Sequence, residues 1–204
     1  MKLRARSLVT TRRFRLAICA AVLACSAGLL QAQTAAPKAD PQTAALQEFQ
    51  KRLHGYVELR TKLAHDLRPL KPTANAAELA ARQDSLAAAI RETRKNARVG
   101  DLIPTPVAEL VRRTIQSDFQ NRAPEARRAA VSEVTGGISP VINRTYPAKA
   151  ALPTIPPLLL AKLPLLPDNL QYRFLDRHVV ILDGDTELII DYVANVLPAR
   201  GGPS

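Results

Sequence analysis

The hydrophobic and polar positions between residues 170 and 193 predict three short strands joined by two tight turns. Asp183-Gly184 is a strong two-residue hairpin signal, because a type I′ turn needs positive φ at both central positions. Asp176-Arg177 is interpreted as a second two-residue turn. This register gives the sheet an apolar face, which consists of Leu170, Tyr172, Phe174, Val179, Ile181, Thr186, Leu188, Ile190 and Tyr192.

The same register places most polar side chains on the opposite face of the sheet. It sets Leu182 opposite Asp185, and Val179 consequently faces Leu188. Slipping either turn by one residue would exchange the faces of a strand. A rival interpretation makes Thr186 the N-cap of a terminal helix, but the density of β-branched and aromatic residues favours a strand. The polar face is predicted to carry Gln171, Arg173, His178, Asp185, Glu187 and Asp191.

Apolar residues at steps of three and four predict helices upstream of the sheet. The first helix begins at Asp40-Pro41, an N-cap and N1 pair, and Arg60 is the one misfit in its apolar stripe. Asn75 and Glu78 have the spacing of a capping box and open a second helix, which is predicted to end near Val99-Gly100. The stripe of the first helix consists of Leu46, Phe49, Leu53, Tyr56, Leu63 and Leu67.

Two shorter helices are predicted to follow this antiparallel helical hairpin. Thr105-Pro106 begins the third helix and Pro124 begins the fourth, which Gly136-Gly137 terminates. The third helix is expected to face inward with Val107, Leu110, Val111, Ile115 and Phe119.

A proline-rich segment, residues 136–169, separates the helices from the sheet. Its prolines exclude long helices and central strands, so only one helical turn is expected, over Leu158–Leu163. Three strands cannot stand alone without a cover. The segment is therefore predicted to cover the apolar face of the sheet with Leu158, Leu159, Leu160, Leu163, Leu165 and Leu166.

These patterns predict an α+β protein with an N-terminal helical hairpin, one or two short helices, a proline-rich segment and a C-terminal three-stranded antiparallel β-meander. The predicted parts are a signal peptide (1–32), a flexible linker (33–42), a helical region (43–135), the proline-rich cover (136–169), the meander (170–197) and a disordered tail (198–204).

The first 32 residues have the layout of a secretory signal. A basic stretch precedes the apolar run Leu16–Leu30, and cleavage is predicted after Ala32. A second interpretation is the lipobox Val22–Cys25, which would make Cys25 a lipidated N-terminus. Both interpretations predict an exported, periplasmic protein. No later segment approaches the roughly 20 apolar residues of a membrane span.

The formal net charge of +11 overstates the basicity of the exported part. Of the 29 basic residues, six lie in the first 15 positions, which leaves 23 against 18 acidic residues. Such a mild excess makes nucleic acid an unexpected partner.

One positive stripe is predicted at the end of the second helix. Arg91, Arg94, Lys95 and Arg98 are spaced at i, i+3, i+4 and i+7. The stripe would either bind anionic lipid, polysaccharide or an acidic protein, or form a solvated face whose cations suit a helix C-terminus. The solvated face is the favoured interpretation.

The candidate metal ligands do not form a site in the sequence. His54 and His65 share a helix face but lie about 16 Å apart along it, and nothing places His178 near either. Residues 183–187 superficially resemble a calcium loop, but Leu188 stands at the sixth position, where such a loop needs Gly. No metal and no cofactor are predicted.

The stretch from Leu152 to Val193 resembles the C-terminal part of a family of uncharacterised exported proteins of Gram-negative bacteria. The similar features are the Pro-Pro-Leu-Leu run at 156–159, the Tyr-Arg-Phe strand at 172–174, the Asp-Arg-His turn at 176–178 and the closing Leu-Ile-Ile-Asp-Tyr strand at 188–192. Residues 49–63 are similar to the first helix of that family. The resemblance implies export and brings no activity or catalytic residues.

The leading functional hypothesis is a non-enzymatic periplasmic protein that binds another protein or a cell-envelope component. No catalytic residue is assigned. One alternative is a small hydrolase that uses His178 with a nearby carboxylate such as Asp191. The other is a binder of anionic lipid or polysaccharide through the Arg91–Arg98 stripe.

Overall fold

The structure is a computed structural model that describes residues 40–67, 75–133, 137–147 and 155–198. The predicted signal peptide, the Cys25 lipidation site, most of the linker and the tail beyond Pro198 lie outside the described residues. The described residues all belong to one unit, Ala39–Ser204.

Helices precede a C-terminal sheet, and the predicted α+β order is confirmed. The helices are α1 (Pro41–Asp66), α2 (Ala76–Thr93), α3 (Thr105–Gln120), α4 (Pro124–Glu133) and α5 (Pro157–Leu160). The strands are β1 (Leu170–Leu175), β2 (His178–Asp183) and β3 (Ile189–Val193), which form an antiparallel sheet in the order β1-β2-β3.

The predicted starts of α1 and α2 are confirmed. At each start the side chain of the N-cap residue accepts a hydrogen bond from the backbone of the first turn. The Asp40 carboxylate accepts a hydrogen bond from the N–H of Thr43 at 3.2 Å, and Pro41 occupies the first turn. The side chain of Asn75 accepts from the N–H of Ala77 at 3.0 Å. In each case a polar side chain satisfies an N–H group that has no partner within the helix.

The predicted end of α2 is wrong by one and a half to two turns. The helix ends at Thr93, well before Val99-Gly100, and the chain turns at Arg94. The side-chain amide of Asn143 donates to the Arg94 carbonyl at 2.6 Å, which satisfies a carbonyl that another helical turn would have used. The Arg94 carbonyl also accepts from the Ala97 N–H at 2.9 Å, so a local turn and a distant side chain both pair it.

The helices and one face of the sheet share a single hydrophobic core. The proline-rich segment, which is predicted to cover that face, contributes Ile155, Leu159 and Leu163 to this core. The core includes Phe49 and Leu53 of α1, Ile90 of α2, and Val111 and Ile115 of α3, packed with β-sheet residues. The sheet is thus covered mainly by helices, and the proline-rich segment completes the cover at one side.

Only part of the predicted leucine cover is buried. Leu159 and Leu163 lie in the core and Leu166 packs against it, whereas Leu158, Leu160 and Leu165 are exposed. Leu159 and Leu163 are four residues apart and extend one helical turn beyond α5, so they lie on the same side of the chain. A turn this short can bury only one side, and its other leucines face solvent.

The predicted register of the first hairpin is confirmed. Leu175 lies opposite His178 and Phe174 lies opposite Val179. Asp176 begins the two-residue turn with a φ of 52°. Asp and Asn tolerate this left-handed region better than most residues, so the turn suits the sequence.

The predicted register of the second hairpin is wrong. Leu182 lies opposite Ile189 rather than Asp185, and Val179 lies opposite Val193. Asp183-Gly184 is not a type I′ turn: the positive φ in this connection belongs to Glu187, at 55°. The Asp183 side chain accepts from backbone N–H groups ahead of it and thereby stabilises a wider turn.

The observed register differs from the predicted one in which side chains of β3 lie on each face of the sheet. The pairing shifts between Ile181 and Leu182, as in a β-bulge, and Asp191 lies opposite Ile181 on the core side of the sheet. Tyr192 instead packs on the second face. The predicted positions of Asp191 on the polar face and of Tyr192 on the apolar face are both corrected.

Part of the proline-rich segment pairs with β3. Thr145 forms an antiparallel bridge with Leu188, and the N–H of Ile189 donates to the Arg144 carbonyl at 2.9 Å. Tyr146 packs on the second face of the sheet with Leu182 and other aliphatic side chains. The start of β3 is therefore paired at this edge of the sheet, and β1 forms the other edge.

Among the described residues, no helix is both long enough and apolar enough to cross a lipid bilayer.

Candidate functional site

An apolar groove lies beside the edge strand β1. Its volume is about 420 Å³. The loop between α5 and β1 forms one wall with Leu163, Pro164 and Leu165, and the strand forms the other with Tyr172 and Arg173. The Tyr172 hydroxyl donates to the Pro164 carbonyl at 3.0 Å and ties the loop to the strand.

Two leucines that line this groove, Leu160 and Leu165, are exposed, and so is Leu158 of α5. The exposed fractions are 80% for Leu158, 47% for Leu160 and 82% for Leu165. Clustered exposed apolar side chains mark surfaces that bind partners or ligands, unlike single exposed leucines, which are common. The groove and these leucines together form the strongest candidate binding surface, which we call the β1 groove.

Arg173 is the only charged residue that lines the β1 groove in the part of the chain that the structure describes. Its Nη2 donates to the Gln171 side-chain oxygen at 2.5 Å. Its Nε is buried and has no hydrogen-bond partner among the described residues. Arg173 thus places a positive charge, with one donor unpaired, at the wall of an apolar groove.

A second polar centre joins α1 to the end of β2. Asp183 is fully buried, and its carboxylate accepts from the Tyr56 hydroxyl at 2.7 Å and from the Arg60 Nε at 2.9 Å. The N–H groups of Asp185 and Thr186 donate to its other oxygen, each at 3.1 Å. Burial, followed by the Asp183 charge and hydrogen bond, raises the pKa of Tyr56, so the tyrosine stays a donor.

Arg60 pairs with two acidic side chains at the wide turn, Asp183 and Asp185. The Asp185 carboxylate is mostly exposed. The sequence pattern contains one signal for this centre, because Arg60 is the charged residue that interrupts the apolar stripe of α1. That stripe position faces the sheet, where a buried charge needs a partner of opposite sign.

A third polar centre fastens the loop between α2 and α3 to β3. The fully buried Asp191 accepts from the N–H groups of Gly100, Leu102 and Ile103 at 3.0, 2.9 and 2.8 Å. Burial raises the pKa of Asp191, and these backbone donors, with that of Tyr192, act in the opposite direction. The carboxylate thus has a structural role in holding the loop.

Arg94 packs between these centres. Its guanidinium lies 5.2 Å from the centre of the Tyr56 ring, and its Nη2 donates to the Ile190 carbonyl at 3.0 Å. Burial lowers the pKa of Arg94, although nearby groups that include Asp191 oppose the shift. Arg94 is therefore part of the junction between the helices and the sheet.

The predicted positive stripe is not one helix face in the structure. Arg91 lies in the last turn of α2 and donates to the Asn143 carbonyl and the Thr145 hydroxyl, at 3.1 and 2.7 Å. Lys95 and Arg98 follow the helix, and Lys95 pairs with Glu92. Because α2 ends at Thr93, the helical spacing that defined the stripe does not apply to its last members.

The structure does not bring His178 and Asp191 together. Strand alternation puts His178 on the second face of the sheet, whereas Asp191 faces the core. The His178 Nδ1 accepts from the Asn195 N–H at 3.3 Å, and its ring meets the edge of Tyr192 at 6.0 Å. Burial lowers the pKa of His178, with Asp176 opposing and Arg177 adding to the shift.

A small polar cleft of about 220 Å³ separates α2 from the β2–β3 connection. Its charged lining is mixed in sign, with Asp84, Arg91, Asp185 and Glu187. The described residues contain no cluster of three or more His, Cys, Asp or Glu side chains that could hold a metal ion. His54 and His65 lie on the exposed side of α1, beside Glu58 and Asp66 respectively.

Comparisons with protein-family models, curated proteins and solved structures found no significant match to this chain.

Proposed function

We propose that this chain is a non-enzymatic binding protein of the cell envelope that binds a segment of another protein in the β1 groove. The observation that supports this proposal is the exposure of two leucines, 160 and 165, that line a groove at the β1 edge of the sheet. Export to the envelope is supported by the signal-like pattern of residues 1–32.

The state of the buried carboxylates supports a binding role over catalysis. Asp183 and Asp191 each accept hydrogen bonds from four donors, which hold α1, the α2–α3 loop and the wide turn in place. A general base needs a lone pair within reach of a substrate proton. Both carboxylates are buried and their donors belong to the protein itself.

Site-specific crosslinking tests the proposed function. A photoreactive benzoylphenylalanine in place of Leu165 should crosslink one partner protein in intact cells. The same group in place of Leu79 is the matched control, because Leu79 is an exposed leucine of α2 outside the groove. The partner, identified by mass spectrometry and purified, should bind the wild-type protein directly.

Two variants that introduce a charge then test whether the partner binds at the groove or elsewhere on the surface. Leu165→Glu should weaken partner binding at least tenfold, whereas Leu79→Glu should leave it unchanged. Equal binding by the wild type and Leu165→Glu would overturn the proposal. Crosslinking to lipid rather than protein at position 165 would do the same.

A further inference from the structure

The backbone of β1 offers hydrogen-bonding groups to a further strand. In a two-residue hairpin the residues that flank the turn, here Leu175 and His178, form a hydrogen-bonded pair. The N–H and C=O groups of Gln171 and Arg173 therefore point toward β2, as do those of Leu175. Those of Leu170, Tyr172 and Phe174 point away from the sheet.

Part of this outward edge is already satisfied. The Leu170 N–H donates to the Pro167 carbonyl at 2.9 Å, and the Phe174 carbonyl accepts from the Tyr146 hydroxyl at 2.7 Å. Within the described residues, both backbone groups of Tyr172 and the N–H of Phe174 have no hydrogen-bond partner. Tyr172 also lines the β1 groove, so its free backbone groups lie where the proposed partner would bind.

We propose that the partner segment binds as a fourth antiparallel strand beside β1 and carries a carboxylate that pairs with Arg173. This inference rests on the proposed function, since it specifies how the β1 groove recognises a protein. One partner residue would exchange two hydrogen bonds with Tyr172, as the members of a closely bonded antiparallel pair do. Strand addition at an open edge derives affinity from these bonds and specificity from side-chain pockets.

Few backbone hydrogen bonds are open to the added strand, and this limits which partner side chains can give stable binding. The satisfied groups of Leu170 and Phe174 limit the new strand to a few bonds, so its side chains must contribute to binding. Alternate residues of a strand point to one face, and apolar residues at every second position would contact Leu160 and Leu165. Arg173, which supplies the charge in the described lining of the groove, favours a carboxylate from Asp, Glu or a chain terminus.

A peptide selection tests this inference directly, because it does not require the natural partner. A displayed library of random peptides is selected on the purified wild-type protein, after removal of peptides that bind Leu165→Glu. We expect enrichment of extended sequences with apolar residues at alternate positions and one carboxylate. Enrichment of amphipathic helical patterns, or of basic peptides, would overturn the inference.

Backbone N-methylation of a selected peptide gives the sharper readout. Methylation removes the N–H and blocks approach on that side, so only amides that face β1 are affected. Affinity should fall at least tenfold at the amide that donates to the Tyr172 carbonyl, and change little at the two neighbouring amides, which point away from β1. A uniform or absent effect would overturn strand addition while leaving the proposed function intact, provided that Leu165→Glu still abolishes binding.

The role of Arg173 is tested with a matched arginine control. Arg173→Gln should weaken binding of a carboxylate-bearing peptide about tenfold, and should not weaken its amide analogue. Arg177→Gln, in the adjacent turn and outside the groove, should affect neither. Separate replacement of the acidic side chain and of the terminal carboxylate identifies which one Arg173 binds. Equal effects of Arg173→Gln on the acid and the amide would overturn the pairing.

A second copy of this chain could occupy the β1 edge in place of a partner protein, and must be distinguished from it. Sedimentation of the protein alone should show a monomer at the concentrations used for peptide binding. A dimer that dissociates in Leu165→Glu would overturn the inference, because a second copy would then occupy the edge.

Discussion

Two buried aspartates connect the helices, loops and strands of the interior. Asp183 and Asp191 are both fully buried, and each accepts four hydrogen bonds from other groups of the chain. An ionised carboxylate in a protein interior is tolerated only when it is paired or richly hydrogen-bonded. The two side chains therefore connect separate elements in addition to occupying space in the core.

Arg60 is predicted to matter more for stability than any exposed cation. Arg60→Met keeps the aliphatic part of the side chain but leaves the buried Asp183 without its ion-pair partner. Breaking one side of a buried pair should lower the free energy of unfolding by about 3 kcal/mol, measured by urea denaturation. Arg128→Met is the control, because the pair with Glu125 is exposed and should contribute less than about 0.5 kcal/mol. Equal losses in the two variants would contradict the burial argument.

The raised pKa of Asp191 predicts how the free energy of unfolding changes with pH. Burial raises its pKa above 3.8 in the folded protein, so the unfolded chain ionises first as the pH rises. Ionisation of the unfolded state then favours unfolding, and Asp191→Asn lacks this contribution. The stability advantage of the wild type over Asp191→Asn should therefore be largest below pH 3.8 and shrink until the pH passes the raised pKa.

Urea denaturation of both proteins across this pH range measures that difference, and the other carboxylates cancel in the comparison. An advantage that grows with rising pH would mean that the four backbone donors outweigh burial and lower the pKa of Asp191.

At the scale of elements, local signals predicted starts better than ends. The caps Asp40 and Asn75 lie next to the helices that they begin, so a sequence window contains the whole signal. Asn143 contributes to the end of α2 from a distance in the sequence, and the side chain of Asp183 stabilises the wide turn that sets the register of β3. Those determinants act through tertiary contacts, which a pattern of hydrophobic positions does not contain.

The candidate site follows the same division. The sequence pattern assigns all the leucines of the proline-rich segment to the cover of the sheet, because spacing alone cannot tell which side of a four-residue helix is buried. Arg60 stood out as a misfit, yet its partner Asp183 was assigned to a tight turn. The groove itself arises from the loop after α5 and the edge of β1, a relation between two elements.

Amide hydrogen exchange tests whether β1 has an open edge. The N–H groups of Gln171 and Arg173 face β2 and should exchange slowly, whereas that of Tyr172 should exchange much faster despite its buried side chain. The N–H of Ile189, bonded to the Arg144 carbonyl, should be protected at the opposite edge. Residue-resolved exchange by NMR measures the alternation, and uniform protection along β1 would mean that the edge is covered.

At the scale of the whole unit, helices and sheet are expected to unfold together. Buried residues of α1, α2, α3 and α5 belong to the same hydrophobic cluster as one face of the sheet, so neither layer keeps its core without the other. An isolated three-stranded sheet would be marginal in water, as would an isolated pair of helices. The shared core therefore predicts a single transition for the described elements.

A substitution in α1 should consequently destabilise the sheet. Phe49 is fully buried in the shared core, and Phe49→Ala should lower the free energy of unfolding by about 4 kcal/mol. Far-UV circular dichroism reports mainly the helices. Tyrosine fluorescence reports Tyr172 and Tyr192 of the sheet among the four tyrosines of this tryptophan-free chain. Both signals should shift to the same lower urea concentration.

Leu165→Ala is the control, since an exposed leucine should contribute less than about 0.5 kcal/mol to folding. A Phe49→Ala variant whose helical signal shifts while the tyrosine signal keeps the wild-type midpoint would show that the layers fold separately. The groove would then belong to the sheet and its loop alone. With a common shift, the helices support the groove, because they hold the face of the sheet from which its strand wall extends.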